Sequence, residues 1–140
     1  MAGTPLRPHL ATPTELRDRL RAEAAGAPFL VLRDEDDRQL LIDLTGDRGQ
    51  LTIGRDEATD VALAWDARVS RTHATLERLG SDWTISDDGL SRNGTFVNDR
   101  RVEGRRRLTD GDLLRCGETL LLFVSPFQAA EQTRPARTLQ

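Results

Sequence analysis

From residue 29 onward the chain is a series of short apolar segments, and a polar turn separates each one from the next. The segments are rich in β-branched, aromatic and aliphatic residues and are bounded by turn residues, which favours β-strands. The predicted strands are residues 29–33, 39–44, 51–54, 61–63, 75–79, 83–86, 95–97, 113–114 and 119–124. No helical pattern lies between them, so a parallel α/β fold with crossover helices is excluded. The pattern predicts an all-β sandwich or a small barrel.

One helix is predicted ahead of the strands, over residues 13–25. Thr12 and Glu15 have the spacing of a capping box, and Pro13 suits the first helical position. Gly26 suits the left-handed position that follows the last helical residue. The fold class is therefore all-β with a short N-terminal α-helix.

The predicted helix has only a narrow apolar stripe, formed by Leu16, Leu20 and Ala24. Glu15 and Arg19 are expected to pair along its opposite side. A helix of this length with so thin a stripe is marginal alone, so we expect it to dock on the body of the protein or on another chain.

The 140 residues fit one domain with short appendages. We predict a leader and helix over residues 1–28, a β-sandwich domain over residues 29–125, and a disordered tail or linker over residues 126–140, where apolar content is low. The first residues lack the features of a secretion signal, and no apolar run approaches the roughly 18 residues of a membrane helix. We therefore expect a cytoplasmic protein without a membrane partner.

The composition argues against a nucleic-acid partner and against an internal disulfide. The net charge is −3, with twenty arginines and no lysine, whereas nucleic-acid-binding domains usually carry a clear basic excess. With no Tyr, two Trp and four Phe, the chain also lacks the aromatics of a single-strand binder. The single cysteine, Cys116, cannot form an internal disulfide and is predicted to be a small buried hydrophobe.

Three polar stretches fall at turns between the predicted strands. They are Gly54-Arg55, residues 70–73 (Ser-Arg-Thr-His) and residues 91–98 (Ser-Arg-Asn-Gly-Thr-Phe-Val-Asn). Because the loops of a sandwich gather at its two ends, all three could share one surface. Taken alone, Asn93-Gly94 is also typical of an ordinary hairpin turn.

These stretches carry the chemistry of anion binding. Arg55, Arg71 and Arg92 supply planar donors, Ser70 a hydroxyl and Asn93 an amide. The sequence has no paired carboxylates, no nucleophile beside a base and no His/Cys set with metal-ligand spacing. We therefore expect a binding module that needs no cofactor or metal and is not an enzyme.

The order Gly-Arg, Ser-Arg-x-His, Ser-x-Asn-Gly-Thr-x-Val-Asn resembles the forkhead-associated (FHA) domain, and the similarity runs over residues 29–124. This resemblance implies a twisted β-sandwich of about eleven strands in two mainly antiparallel sheets. It also implies that loops at one end bind phosphothreonine within an extended peptide, which fits the donors above.

Carried over by position, the resemblance makes Arg55 and Ser70 the residues that engage the phosphate. Arg71 adds a donor from the same loop as Ser70, Arg92 contacts phosphate or peptide, and Asn93 holds the peptide main chain. The residues expected to shape the loops are Gly54, His73, Gly94 and Asn98. Asp99 departs from the family, which often has Gly there, although Asp also tolerates a tight turn.

Residues 100–107 contain five arginines and one glutamate. Such a run usually forms a solvated hairpin face. The alternative is an acidic or nucleic-acid partner, which would make the chain a regulatory part of a nucleic-acid-associated or transcription-related protein. The negative net charge makes nucleic acid the less favoured partner.

The implied partner is a threonine-phosphorylated protein or peptide, with a Ser/Thr protein kinase acting upstream. The phosphothreonine could also be intramolecular, because several threonines lie in the two ends of the chain: Thr4, Thr12, Thr14, Thr133 and Thr138.

Overall fold

The apolar segments pair into two β-sheets that pack face to face. The computed structural model describes residues 11–44 and 48–133. Within those residues the chain forms eleven strands: β1 (Phe29–Arg33), β2 (Gln39–Asp43), β3 (Gln50–Gly54), β4 (Val61–Ala62), β5 (Ala74–Leu79), β6 (Asp82–Asp87), β7 (Thr95–Val97), β8 (Arg100–Arg101), β9 (Gly104–Arg107), β10 (Leu113–Cys116) and β11 (Thr119–Val124). Helix α1 (Pro13–Ala25) precedes them and helix α2 (Pro126–Thr133) follows. The predicted fold class is confirmed.

The first sheet has the order β2-β1-β11-β10-β7-β8, and the second has the order β4-β3-β5-β6-β9. The pairings are antiparallel apart from the short parallel pair β3–β4. In the second sheet Ile53 is opposite Ala74, and Thr75 is opposite Ser86. The end of β3, the start of β5 and the end of β6 therefore lie at the same end of the sandwich.

The core lies between the two sheets and is filled by alternate residues of their strands. Trp83 and Ile85 are buried, as their alternation predicted. Leu44, which follows β2, is buried in the same core, and Leu40 of β2 packs against that core. Fully burying one such side chain contributes about 1.5–3 kcal/mol. Cys116 is also buried, and desolvation raises the pKa of its thiol to about 12. It is the inert small hydrophobe that the sequence predicted.

Helix α1 begins and ends as its sequence predicted. The Thr12 hydroxyl accepts a hydrogen bond from Glu15 N, and Thr12 N donates to Glu15 Oε1, both over 3.1 Å. Gly26 ends the helix with φ +84°. No helix within the described residues is both long and apolar enough to cross a bilayer.

The face by which α1 docks differs from the predicted one. Leu16 and Leu20 are 48% and 64% exposed, so their stripe does not pack on the sheets. Glu15 makes the attachment, accepting hydrogen bonds from Arg33 Nη1 at 3.3 Å and Gln39 N at 3.1 Å. Arg19 pairs with Glu23 and not with Glu15. Charge-assisted bonds of a half-buried carboxylate thus attach α1 in place of the predicted stripe, and Ala22 adds an apolar contact with the cluster of Phe29, Val31 and Val124.

The tail prediction is wrong for residues 126–133, which form α2. Pro126 suits a first helical position, and Ala129 N donates to Ser125 O over 3.0 Å. The Gln128 amide oxygen accepts a hydrogen bond from Asp110 N over 2.7 Å, which ties α2 to the turn before β10. This tertiary bond helps to stabilise a helix too short to be stable alone. The rest of the predicted tail, residues 134–140, and the predicted leader, residues 1–10, lie outside the described residues.

The arginine run does not form one hairpin face. Residues 100–101 form β8, which pairs with β7 in the first sheet, whereas residues 104–107 form β9, which pairs with β6 in the second. The buried side chains of Val102 and Leu108 anchor the crossing between sheets. These two strands were not predicted because exposed arginines show no apolar alternation.

Candidate functional site

The three polar stretches lie at one end of the sandwich because of the register of β3, β5 and β6. Arg55 follows β3, residues 70–73 precede β5, and residues 88–94 connect β6 to β7. Hydrogen bonds between the loops hold them together. The expected common surface of the three loops is present.

The first two loops are joined through their backbones. Arg55 N donates to Ser70 O over 3.0 Å, and Asp56 N donates to Arg71 O over 3.2 Å. This approach requires glycine at position 54, because a Cβ there would lie 2.0 Å from Arg71 O. The close backbone contact explains why Gly precedes Arg in this stretch.

The Ser70 hydroxyl lies where the second and third loops meet. Its oxygen accepts a hydrogen bond from Arg92 N over 2.9 Å. A hydroxyl oxygen that accepts one bond still has its own proton to donate. Ser70 can therefore donate to an anion while its oxygen is held in place.

His73 is fully buried and bridges the same two loops. Its Nδ1 accepts from Ser70 N over 3.0 Å, so the ring proton lies on Nε2, which donates to Gly94 O over 2.9 Å. Both ring nitrogens are occupied by backbone groups. His73 therefore positions the loops and has no free nitrogen with which to act as a base.

Asn93 extends from the third loop back to the second. Its Nδ2 donates to Arg68 O over 2.8 Å. Within the described residues its amide oxygen has no partner, and the side chain is exposed. Asn93 can therefore accept a hydrogen bond from the backbone N–H of a bound peptide. Gly94 follows with φ +89°, a conformation that disfavours other residues.

Three arginines project from these loops without an intramolecular partner. Arg55, Arg71 and Arg92 are exposed, and in the described part of the chain their guanidinium groups make no ion pair or hydrogen bond. This surface thus offers three unpaired guanidinium groups and a donor hydroxyl to an anion, despite the net charge of −3.

Asn98 lies apart from the three loops, in the turn between β7 and β8. Asn98 and Asp99 have φ of +51° and +68°, as a two-residue hairpin turn requires. The Asn98 amide donates to Asp112 Oδ1 and accepts from Leu113 N, each over 2.9 Å. Asn98 thus fixes the β7–β8 hairpin against β10.

The sequence did not point to Asp87, the last residue of β6, whose hydrogen bonds hold the third loop in place. Its carboxylate accepts from the backbone N–H groups of Leu90 and Ser91, and from the hydroxyls of Ser91 and Thr95. The Ser91 hydroxyl oxygen in turn accepts from Gly94 N. The available signal was an Asp before Asp-Gly and four residues before Ser, a pattern typical of side-chain-to-backbone turns.

The environment of Asp87 favours its charged form. Burial disfavours the carboxylate, but the hydrogen bonds from Ser91 and Thr95 outweigh burial and lower the pKa below its ordinary value. A group whose pKa is lowered on folding stabilises the folded state fully above its unfolded pKa, about 3.9 for Asp. That stabilisation is lost as the pH falls through the folded pKa.

We expect Asp87→Asn to lower the free energy of unfolding at pH 7 by about 2–3 kcal/mol, because the buried Thr95 and Ser91 hydroxyls lose a charged acceptor. The difference from wild type should shrink as the pH falls below 4. Urea unfolding between pH 7 and pH 3 measures both effects. The neighbouring, exposed Asp88→Asn is the matched control, and equal losses in the two variants would contradict the role of Asp87.

A groove that shares Arg68 with this surface is unsuited to an anion. Its acidic residues outnumber its arginines, Arg33 and Arg68, and the carboxylates are those of Asp34, Glu35, Asp37, Asp66 and Glu118. Phosphate would be repelled there, so the exposed loop surface and not the groove is the candidate site.

Comparison with known proteins identifies the same region. The family model of the FHA domain matches residues 51–117. The oxoglutarate dehydrogenase inhibitor of Corynebacterium jeikeium is 35% identical over 79 residues, which is 56% of this chain and 53% of that protein. The chain thus matches only about half the length of that relative.

Solved structures agree over a larger share of the chain. The FHA domain of the CT664 protein from Chlamydia trachomatis superposes with a TM-score of 0.63 and 26% identity, over 70% of this chain and 96% of that one. A structure from a study of phosphothreonine-dependent FHA domain interactions has a TM-score of 0.58 and 30% identity, over 70% and 95%. With its fold, its ordered motifs and these similarities, the chain belongs to the FHA domain family.

Proposed function

We propose that this chain is a non-catalytic module that binds threonine-phosphorylated proteins or peptides in Ser/Thr kinase signalling. The observation that carries the proposal is the set of unpaired donors at one end of the sandwich. Arg55, Arg71 and Arg92 are exposed without partners in the described chain, and the Ser70 hydroxyl has a proton to donate. A phosphate dianion with three acceptor oxygens matches this set.

Each residue has a specific role in the proposed complex. Arg55 and Ser70 bind the phosphate, and Arg71 adds a further donor from the loop that carries Ser70. Asn93 accepts from the peptide backbone through its free amide oxygen, which fixes the register of the peptide. Arg92 contacts phosphate or peptide, since its backbone N–H already bonds to Ser70.

The residues beneath this surface keep the donors in place before a ligand arrives. His73, Asp87 and Gly54 tie the loops together through buried or backbone contacts. A preorganised site loses less conformational entropy on binding, so more of the interaction energy appears as affinity.

We expect a phosphothreonine peptide to bind at least about 100-fold more tightly than the same peptide with threonine, because charge-assisted bonds to the phosphate are lost in the latter. Glutamate should mimic the phosphate poorly, having one charge and two oxygens. Isothermal titration calorimetry with the three peptides measures the ratio. Equal affinities for the phosphorylated and unmodified peptides would refute phosphate recognition.

Phosphate dependence makes a Ser/Thr kinase the upstream switch. The phosphothreonine could be supplied by the ends of this chain. Thr12 caps α1 and Thr14 lies within it, so either would have to leave the helix to bind as an extended peptide. Thr133 is the last residue of α2, and Thr4 and Thr138 lie outside the described residues. Mass spectrometry after incubation with a kinase tests this source, and finding no phosphothreonine in either end would exclude it.

The structure does not favour the nucleic-acid alternative for residues 100–107. Arg105 pairs with Glu77 at 2.9 Å, and Arg107 pairs with Asp82 at 3.3 Å. The run is also divided between the two sheets, so its arginines do not form one continuous phosphate-binding strip.

A further inference from the structure

Arg101 belongs by sequence to the basic run, but the fold places it against the candidate site. It lies on β8, directly opposite Phe96 of β7. A Cβ built on Gly94 would lie 3.1 Å from Arg101 Nε and 3.2 Å from its Cζ. The guanidinium group therefore lies beside Gly94, the residue that follows Asn93 in the third loop.

Arg101 differs from the neighbouring arginines of β9 in its pairing. Arg105 bonds to the carboxylate of Glu77 on β5, and Arg107 bonds to that of Asp82 on β6. Arg101 is exposed, and among the described residues its guanidinium group has no carboxylate or carbonyl partner. Its charge is therefore available to an external group.

Arg101 lies within reach of the same extended peptide as the Ser70 hydroxyl. The Ser70 hydroxyl accepts from Arg92 N over 2.9 Å, and the path continues through Asn93 to Gly94. With 3.8 Å between consecutive Cα atoms, the Ser70 hydroxyl and Arg101 Nε are separated by at most about 17 Å. An extended peptide rises about 3.3 Å per residue, so this distance spans no more than about five residues.

The charges also exceed what one phosphate requires. A phosphothreonine brings a charge of about −1.5 to −2. Arg55, Arg71, Arg92 and Arg101 together offer four unpaired positive charges around one peptide path. A ligand with a second anionic group would neutralise more of this charge than a singly phosphorylated neutral peptide does.

We propose that Arg101 is a specificity-determining residue that binds a second anionic side chain within about five residues of the phosphothreonine. The substrate class is thus an acidic phosphopeptide, with a carboxylate or a second phosphate as the additional group. The inference rests on the proposed phosphothreonine site and adds a second subsite to it. Gly94 permits the subsite because it has no side chain to separate Arg101 from the loop.

The test compares matched phosphothreonine peptides with neutral flanks, with aspartates placed on the N-terminal side, and with aspartates placed on the C-terminal side. Fluorescence anisotropy at fixed salt concentration measures each affinity for wild type, Arg101→Gln and Arg100→Gln. Arg100 is a matched control because adjacent strand residues point to opposite faces. The same peptides without phosphate report on the proposed function itself.

We expect aspartates on one side of the phosphothreonine to raise the affinity of the wild type about three- to five-fold, the upper part of the range for an exposed ion pair. This ratio should fall towards one in Arg101→Gln and persist in Arg100→Gln. Phosphate-dependent binding with no preference for acidic flanks, or a preference unchanged in Arg101→Gln, would overturn the subsite alone. Absence of phosphate-dependent binding would overturn both the subsite and the proposed function.

Discussion

Replacing Arg55 with alanine is expected to weaken the binding of a phosphothreonine peptide by at least about 100-fold, which removes measurable affinity at ordinary protein concentrations. The side chain follows the last residue of β3, at the end of the sandwich where the loops meet. The loss should be large because Arg55 is the proposed main charge on the phosphate, and truncating one partner of a charge-assisted pair leaves the other desolvated and uncompensated.

The same substitution should leave folding unchanged, which makes the result interpretable. The Arg55 guanidinium makes no ion pair or hydrogen bond within the described residues, so its removal costs about 0.5 kcal/mol or less. Thermal unfolding of the variant checks this point. Arg17→Ala removes an exposed charge from α1 and serves as the control for net charge. Unchanged calorimetric affinity of Arg55→Ala would refute the assignment of Arg55 to the phosphate.

Local sequence predicted those parts of the fold that depend on side-chain pattern. The alternation that buries Trp83 and Ile85 is visible within β6, and the capping box of α1 lies within four residues. By contrast, β8 and β9 are held by backbone pairing between arginine-rich segments and leave no apolar signature. Helix α2 depends on a bond from Asp110 N to Gln128, a contact that local sequence does not reveal.

The polar residues of the candidate site were predictable from the sequence, but the contacts that position them were not. Ordered motifs identified Arg55, Ser70 and Asn93 as polar groups on three turns. Their convergence depends on the register of β3, β5 and β6, which no single stretch specifies. Arg101 was missed for the same reason, because its position beside Gly94 depends on the pairing of β7 with β8. Asp87 was missed although its partners Leu90, Ser91 and Thr95 lie close to it in sequence.

The second large effect is expected from the smallest substitution, Gly54→Ala. The added methyl would lie 2.0 Å from Arg71 O, 2.8 Å from Arg71 C and 2.9 Å from Thr59 Cγ2. Two of these atoms belong to the backbone and cannot rotate away, so the loop that carries Ser70 and Arg71 must move. We expect the free energy of unfolding to fall by about 3 kcal/mol, at the upper end for overpacking.

Gly54→Ala should lower the affinity for a phosphothreonine peptide as well as the stability, because the displaced loop carries Ser70 and Arg71. Moving Arg71 O breaks its hydrogen bond from Asp56 N and shifts the Ser70 hydroxyl away from Arg55. We expect phosphothreonine-peptide affinity to fall by more than about ten-fold even where the variant remains folded, as a 1.4 kcal/mol loss in the complex would give. Calorimetry below the unfolding transition measures the affinity, and urea unfolding measures the stability.

Gly49→Ala provides the matched control for Gly54→Ala. Gly49 immediately precedes β3 and Gly54 is its last residue. A Cβ at Gly49 would meet no atom within 4 Å, and Gly49 does not have a positive φ. This variant should keep wild-type affinity and be unchanged or more stable by up to about 1 kcal/mol, because alanine restricts the unfolded chain. If Gly54→Ala behaves like Gly49→Ala, the close contact between the first two loops does not hold the site. The geometry of Ser70 relative to Arg55 would then have to be set by the links through His73 and Arg92 alone.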